Sequence, residues 1–264
     1  MQWWTAYLAI GLLVGCLAGL LGIGGGIVLV PLLAMVFAAQ GLPTEHLLHM
    51  ALGTSMATIV FTSLSSMRAH HAHGAVDWPI ARTLAPGMLA GAFGAALAAG
   101  FIPTRPLAVM FTVLVFYAAT QFFFDLRPKN TRAMPKATGI FAVGAVIGAA
   151  SSLLAGGGAF LTIPFLAWCG LPLRRAIGTA ATTGFPIALA GTAGYIVQGW
   201  GVDGLPAASV GYVLLPAFAL VVATSMLAAP LGAALAHRLP IRRLRIVFAL
   251  MLYVLAVRML IGLW

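Results

Sequence analysis

Two runs of three glycines stand inside long apolar stretches of the sequence. Glycine costs a helix about 1 kcal/mol relative to alanine, so three in succession predict a break in each helix. The N–H groups at the start of the helix after a break lack partners, and helix N-termini bind anions. The alternative role for the glycines is close helix packing. The runs are Gly24, Gly25, Gly26 and Gly156, Gly157, Gly158, and the following helices are expected to start near Ile27 and Ala159.

Two Gly-Thr pairs are the second candidate binding feature, Gly53-Thr54 and Gly178-Thr179. A side-chain hydroxyl can replace part of the water shell of an anion without bringing a fixed charge into the membrane. Threonine also hydrogen-bonds to its own backbone or holds helices together. Both roles stay open from the sequence, and we predict the pairs as part of a binding site together with the glycine runs.

The histidines cluster near two predicted segment ends. His70, His71 and His73 lack the i, i+4 spacing of a helical metal site and have no neighbouring cysteine, so a solvated basic loop is predicted. His46 and His49 lie near the start of a helix, where a gating or proton role is the alternative to a structural one. No metal site or cofactor is predicted.

Acidic residues are scarce, and all lie near predicted segment ends: Glu45, Asp77, Asp125 and Asp203. A cation site or proton relay usually needs an acid at mid-membrane, so a cation pump is disfavoured. No nucleotide-binding loop or catalytic dyad can be assembled, so the chain is not expected to be an enzyme. This pattern favours a small anionic substrate.

Composition identifies the surroundings of these residues. Of 264 residues, 62% are apolar and 7% are charged, against about 25% charged in a soluble domain. An all-α integral membrane protein in a lipid bilayer is predicted, because a β-barrel would show alternating polarity. The basic residues stand in short clusters between apolar runs, which disfavours nucleic-acid binding. Cys16 and Cys169 are expected to be buried free thiols.

Ten apolar stretches divide the chain into two similar halves. The first repeat spans residues 1–126, a basic cytoplasmic linker spans 127–136, and the second repeat spans 137–264. The stretches are 5–21, 27–40, 47–67, 83–100, 104–124, 137–155, 159–171, 176–198, 207–236 and 244–263.

Short matches recur in the same order in both halves. LLGIGGGIVLVPLL at 20–33 resembles LLAGGGAFLTIPFL at 153–166, and Leu84-Ala85-Pro86 resembles Leu214-Leu215-Pro216. Shared order indicates an internal duplication, from which alternating access can be built. GxxxG pairs at 87/91 and 144/148 can pack within the chain or form a homodimer.

The orientation of the halves depends on whether residues 5–40 form one broken span or a hairpin. A hairpin puts twelve basic residues on one side and only Arg105 and Arg258 on the other, which the positive-inside rule favours. We therefore predict an inverted repeat with both termini periplasmic, each half having a Gly-broken helical hairpin and three transmembrane helices. The hairpin arms are short and are expected to be re-entrant or to cross only in part.

The glycine run followed by an apolar stretch and Pro, then Gly-Leu-Pro, then Gly-Thr, all occurring twice, resembles the sulfite exporter TauE/SafE family. The resemblance covers nearly the whole chain, although Leu154-Ala155 stands where the first half has Leu21-Gly22-Ile23. It implies an inner-membrane permease for sulfur-containing anions or small organic acids.

The expected function is therefore a secondary transporter that moves sulfite or an organosulfonate by alternating access. Two other functional classes stay open, an anion channel and a membrane subunit of a multi-component transporter. A small organic carboxylate is the alternative substrate.

Overall fold

Ten helices and one small strand pair make up the described part of the chain. The computed structural model describes residues 2–21, 25–124, 132–236 and 241–262. The helices are α1 (Gln2–Leu21), α2 (Gly26–Ala39), α3 (Leu47–Ala72), α4 (Trp78–Ala99), α5 (Thr104–Phe124), α6 (Ala137–Leu154), α7 (Ala159–Trp168), α8 (Leu173–Gly199), α9 (Leu215–Ala236) and α10 (Ile241–Gly262). The strands are β1 (Ser209–Val210) and β2 (Val213–Leu214).

Seven of these helices are long and apolar enough to cross a membrane: α1, α3, α4, α5, α6, α8 and α9. Their side chains include many large apolar groups that face outward, such as Val146, Leu227 and Leu231. An outward apolar surface of this kind is stable in lipid. The prediction of an all-α, multi-pass integral membrane protein is confirmed.

Two helices are too short to span the hydrocarbon core. With a rise of 1.5 Å per residue, the 14 residues of α2 cover about 21 Å and the 10 residues of α7 about 15 Å. The core is about 30 Å thick. Gln40 Nε2 lies 2.6 Å from Tyr7 Oη, and the Arg132 N–H donates to the Trp168 carbonyl at 2.8 Å. The end of each short helix therefore returns to the level at which the preceding helix begins, which is the predicted hairpin.

The two halves are packed through equivalent helix pairs. α1 packs against α9, and α6 packs against α4. Glycines allow both contacts: a β-carbon on Gly11 would lie 2.8 Å from the Val221 carbonyl oxygen, and one on Gly91 would lie 2.7 Å from the Ala145 carbonyl carbon. Gly87, Gly91, Gly144 and Gly148 all face the α4–α6 contact. Within the described residues, these GxxxG pairs are packed inside one chain.

α3 and α8 pack against each other at the centre and are the most buried of the seven long helices. α3 continues through His70 and His71 to Ala72. The histidines predicted as loop residues therefore lie partly in the last turn of this helix. Cys16 and Cys169 are free thiols, as predicted, but each is half-buried where the sequence predicted a buried side chain.

The antiparallel strand pair was not predicted. The stretch 207–236 is apolar throughout, yet its first eight residues hold β1, a turn and β2, and α9 begins only at Leu215. α4 begins at Trp78 and α9 at Leu215, so the second residue of each helix is a proline, Pro79 in α4 and Pro216 in α9. The sequence match between Pro86 and Pro216 was therefore wrong, because Pro86 lies inside α4.

Candidate functional site

The first glycine run provides the start of α2. Gly24 lies outside the described residues. Gly25 has φ 67° and caps α2, and its carbonyl accepts hydrogen bonds from the N–H groups of Val28 and Leu29, both at 3.2 Å. Positive φ in this region favours glycine, because a side chain would meet the following carbonyl. α2 begins with no side-chain cap.

The second glycine run provides the start of α7 in the same way. Gly157 and Gly158 have φ of 60° and 80°, and Gly158 caps α7 without a side-chain hydrogen bond. Pro31 and Pro164 each follow the capping glycine by six residues, so Gly25 corresponds to Gly158. The capping residue is thus the second glycine of the first run but the third glycine of the second run. The sequence showed that the two runs differ in their preceding residues, but not that the cap shifts by one position.

The two breaks contact each other. The Cα of Gly26 faces the Ala155 carbonyl so closely that a β-carbon would overlap the oxygen. A β-carbon on Gly156 would lie 3.2 Å from Cγ1 of Ile27, the residue that follows Gly26. The structure therefore brings the described residues of both glycine runs into one region, with Ile59 of α3 also packed on Gly26.

Buried hydroxyls without partners lie around the second break. Ser151, Ser152 and Thr162 are fully buried, and their side-chain oxygens have no hydrogen-bond partner among the residues that the structure describes. The sequence reasoning did not single out these residues, because Ser and Thr in apolar helices are common. Their only sequence signal was proximity to the glycine run.

The Gly-Thr pairs lie elsewhere, at contacts between the two halves. The Leu214 N–H donates to Thr54 Oγ1 at 3.0 Å, and the Asp77 N–H donates to Thr179 Oγ1 at 2.9 Å. Both threonines are fully buried. Each hydroxyl accepts from the backbone of the other half and keeps a proton that it can donate.

In each Gly-Thr pair, the glycine contacts the same segment of the other half that its threonine binds; we call this segment the incoming segment. A β-carbon on Gly53 would lie 2.8 Å from the Tyr212 carbonyl oxygen, and one on Gly178 would lie 2.7 Å from the Ala75 carbonyl carbon. We call these two contacts the clasps. The first clasp joins Gly53-Thr54 to Tyr212 and Leu214, and the second joins Gly178-Thr179 to Ala75 and Asp77.

The incoming segments share a sequence pattern that was missed. Gly74 precedes Ala75 with φ 62°, and Gly211 precedes Tyr212 with φ 54°. The segments read GAVD at 74–77 and GYVL at 211–214, so Gly and Val recur at the same offsets. Two shared residues in four are too weak a signal to notice without the contacts.

A cavity of about 800 Å³ opens at the end of the molecule where α3 and α5 begin. Its polar lining includes Glu45, His46, His49, Arg105 and Arg258, and its wall on α2 includes Pro31 and Ala34. The two arginines are the ones that the sequence analysis separated from the other basic residues. Among the described residues, neither forms an ion pair.

His49 is anchored at the edge of this cavity. Its Nε2 lies 3.0 Å from the Ala99 carbonyl and 3.1 Å from the Ile102 carbonyl, so the Nε2–H donates to them. The ring lies 5.1 Å from that of Tyr212 in the first clasp. The Nδ1 atom is buried without a partner.

The histidines at the opposite end have ordinary surface contacts. Trp78 Nε1 donates to His71 Nδ1 at 3.1 Å, and His73 Nδ1 lies 2.7 Å from the Ala69 carbonyl. In the parts of the chain that the structure describes, no three His, Cys, Asp or Glu side chains group as metal ligands would.

An apolar outer surface, paired broken hairpins and a charged cavity at one end define a membrane transporter. The chain belongs to the sulfite exporter TauE/SafE family, whose sequence profile matches residues 7–259. It is a transporter of this family and not an enzyme.

The relatives carry transporter names. A "Probable membrane transporter protein" of Haemophilus influenzae is 37% identical over 254 residues, covering 96% of each chain. The Bacillus subtilis protein YdhB, with the same description, is 28% identical over 195 residues, covering 71% of this chain and 77% of the relative. One such protein of Methanocaldococcus jannaschii is 25% identical over 266 residues, covering 96% of this chain and 93% of the relative. No solved structure matches the chain significantly.

Proposed function

We propose that the protein is a secondary transporter that carries sulfite or an organosulfonate across the bacterial inner membrane by alternating access. The observation that carries this proposal is the contact between the two glycine breaks, Gly26 against Ala155 and Gly156 against Ile27. Both breaks start a helix without a side-chain cap. Such helix starts favour an anion over a cation.

The lengths of the hairpin arms support a site near the middle of the bilayer. α2 covers about 21 Å and α7 about 15 Å, and they end at opposite ends of the molecule. Their contacting starts are buried, and we place them near the middle of the bilayer, away from both aqueous phases. A substrate held there needs access from one side at a time, as in a carrier with alternating access.

We infer an inverted repeat from the paired contacts. α1 with α9 and α6 with α4 are equivalent pairs, and the clasps relate Thr54 with Leu214 to Thr179 with Asp77. Together with the charge distribution, this arrangement supports periplasmic termini and a cytoplasmic linker at 127–136.

The proposed substrate site consists of the two glycine runs and the two Gly-Thr pairs. Backbone N–H groups at the starts of α2 and α7 bind the anion, and the hydroxyl protons of Thr54 and Thr179 become available when the clasps shift. The cavity is the proposed entrance from the periplasmic side: it reaches Pro31, about 9 Å along α2 from Gly25, and buried residues of α2 close the remaining distance in this state.

The first experiment is counterflow of radiolabelled sulfite in proteoliposomes, with sulfate, sulfoacetate and lactate as competitors. A carrier gives saturable counterflow, whereas a channel passes the anion without saturable counterflow. We expect Gly25→Leu and Gly158→Leu to abolish exchange, since both glycines have positive φ and close neighbours. Gly94→Leu is the matched control, because Gly94 lies on an exposed helix face and a β-carbon there would have no neighbour within 4 Å.

The outcomes separate the alternatives. Flux without counterflow supports the channel. Exchange of lactate but not sulfite supports the carboxylate. No flux from folded protein, restored by a membrane fraction that supplies a second component, supports the subunit of a larger transporter.

A further inference from the structure

We propose that Ser151 and Thr162 donate their hydroxyl protons to the transported anion, so that the second half alone supplies side-chain ligands at the breaks. The inference rests on the proposed function and adds two binding residues to it. The ligand class is a small oxyanion, whose oxygens only accept hydrogen bonds.

The first observation is that both hydroxyls lack partners in a fully buried position. A buried hydroxyl without a hydrogen bond is costly, and the large majority of buried polar atoms have a partner. Among the described residues, the hydroxyls of this kind are those of Ser55, Ser151, Ser152 and Thr162, and a ligand at the second break would explain the two that lie beside Gly158, Ser151 and Thr162.

Four other buried threonines in the helices donate to a carbonyl of their own helix. Thr58, Thr112, Thr182 and Thr183 each donate to the carbonyl three or four residues earlier, at 2.7 to 3.0 Å. For Thr162, the carbonyl four residues earlier belongs to Gly158 and already accepts from the N–H groups of Leu161 and Thr162. The Thr162 hydroxyl, unlike those four, makes no such bond within the described residues.

The two hydroxyls flank the glycine that caps α7. A β-carbon on Gly158 would lie 3.5 Å from Ser151 Oγ and 3.6 Å from Thr162 Oγ1. Two hydroxyl oxygens therefore lie on either side of the residue that caps α7, together with the Ile187 Cδ1 atom at 2.6 Å from the same β-carbon position. Ser152 is not included, because its hydroxyl faces Gly191 of α8 instead.

Among the described residues, the first half has no hydroxyl at the positions equivalent to Ser151 and Thr162. With Gly25 aligned on Gly158, Ser151 corresponds to Ala18 and Thr162 to Leu29. A β-carbon on Gly25 would lie 3.2 Å from the Ala18 Cβ, which is the equivalent contact without a hydroxyl. The positions equivalent to Ser151 and Thr162 therefore offer no hydroxyl at the start of α2, and side-chain ligation at the two breaks is asymmetric.

The test compares Ser151→Ala and Thr162→Val with Thr162→Ser, which keeps the hydroxyl, and with Thr112→Val, which removes a self-satisfied one. Two readouts are taken on the purified full chain: counterflow of radiolabelled sulfite and the rise in melting temperature on adding sulfite. We expect Ser151→Ala and Thr162→Val each to raise the apparent KM about tenfold. Tenfold corresponds to about 1.4 kcal/mol, near the lower value for a hydrogen bond to a charged group. Each should also reduce the thermal shift, since stabilisation follows ligand occupancy.

Thr162→Ser and Thr112→Val should match the unaltered protein in both readouts. Unchanged KM and thermal shift in Ser151→Ala and Thr162→Val would overturn this inference while leaving the transporter proposal intact. Absence of both exchange and thermal shift in the unaltered protein, for every anion of the panel, would overturn both.

Discussion

Thr54 and Thr179 show how one hydroxyl can join two distant parts of a membrane protein. Each accepts an N–H from a segment that leads into a helix of the other half, over sequence separations of 160 and 102 residues. The Gly-Thr pairs were predictable as unusual positions, because polar groups in apolar helices need partners. Their partners were not predictable, since the sequence around Thr54 contains no pattern that identifies Leu214 as its hydrogen-bond donor.

Removing one clasp hydroxyl is expected to destabilise the fold. Thr54→Val leaves the buried Leu214 N–H without an acceptor, which costs about 1–3 kcal/mol. Thermal unfolding in detergent should show a lower melting temperature for Thr54→Val. Thr54→Ser keeps the acceptor and should lie closer to the unaltered protein. Equal melting temperatures for Thr54→Val and Thr112→Val would contradict the clasp, because Thr112 only bonds within its own helix.

At the scale of elements, the sequence predicts which segments form helices but not which helices become neighbours. Apolar length and the glycine runs were sufficient for ten helices and two breaks. The interval of four residues between Gly87 and Gly91, and between Gly144 and Gly148, predicted that each pair packs closely against another helix. The choice of α6 as the partner of α4 depends on matching surfaces, and spacing alone does not encode it. The strand pair β1–β2 was hidden because its residues are as apolar as those of a helix.

The α4–α6 contact allows a matched pair of substitutions on one helix. In Gly91→Ala the new methyl group meets the backbone of Ala145, so we expect lower thermal stability. In Gly94→Ala it meets nothing within 4 Å, so the helix preference for alanine should leave stability equal or higher by up to about 1 kcal/mol. Both variants are compared by thermal unfolding in one detergent. A Gly94→Ala variant as unstable as Gly91→Ala would argue against this helix pairing.

At the scale of the whole molecule, the ends differ in charge and in shape. The cavity holds Arg105 and Arg258, whereas the other described end carries the surface histidines, Arg174 and Arg175. Counting charges along the sequence assigned Arg105 and Arg258 to the side opposite the other basic residues. The convergence of the two arginines on one cavity was not predictable, because they stand on α5 and α10, more than 150 residues apart in the chain.

The orientation can be tested with single cysteines after Cys16 and Cys169 are replaced. Phe101 and Ala207 are exposed at the cavity end, and Lys136 is exposed at the other. An impermeant thiol reagent applied to intact cells should label cysteines at positions 101 and 207 but reach position 136 only after permeabilisation. Labelling at 136 in intact cells, with 101 protected, would reverse the proposed orientation.

The cavity arginines should act mainly on the capture of an anion. Exposed charges raise the rate of encounter with an oppositely charged ligand, and salt screens this effect. We expect Arg105→Gln with Arg258→Gln to reduce exchange at low substrate and low salt several-fold, with little change in the maximal rate. Arg82→Gln, near the start of α4 and away from the cavity, is the control. A loss that persists unchanged at 1 M salt would show that the arginines have another role.

The clasps also constrain how the chain is made. Gly53 and Thr54 leave the ribosome about 160 residues before Leu214, so the first half enters the membrane with its clasp surface unoccupied. In the second clasp, Ala75 and Asp77 are synthesised about 100 residues before their partner Thr179, so the segment of the first half is unpaired until then. Neither half is therefore complete as a folding unit, and a chaperone or insertase has an exposed surface to cover during synthesis. In the inverted repeat proposed above, two separate copies of a single half would supply these segments to each other as an antiparallel dimer.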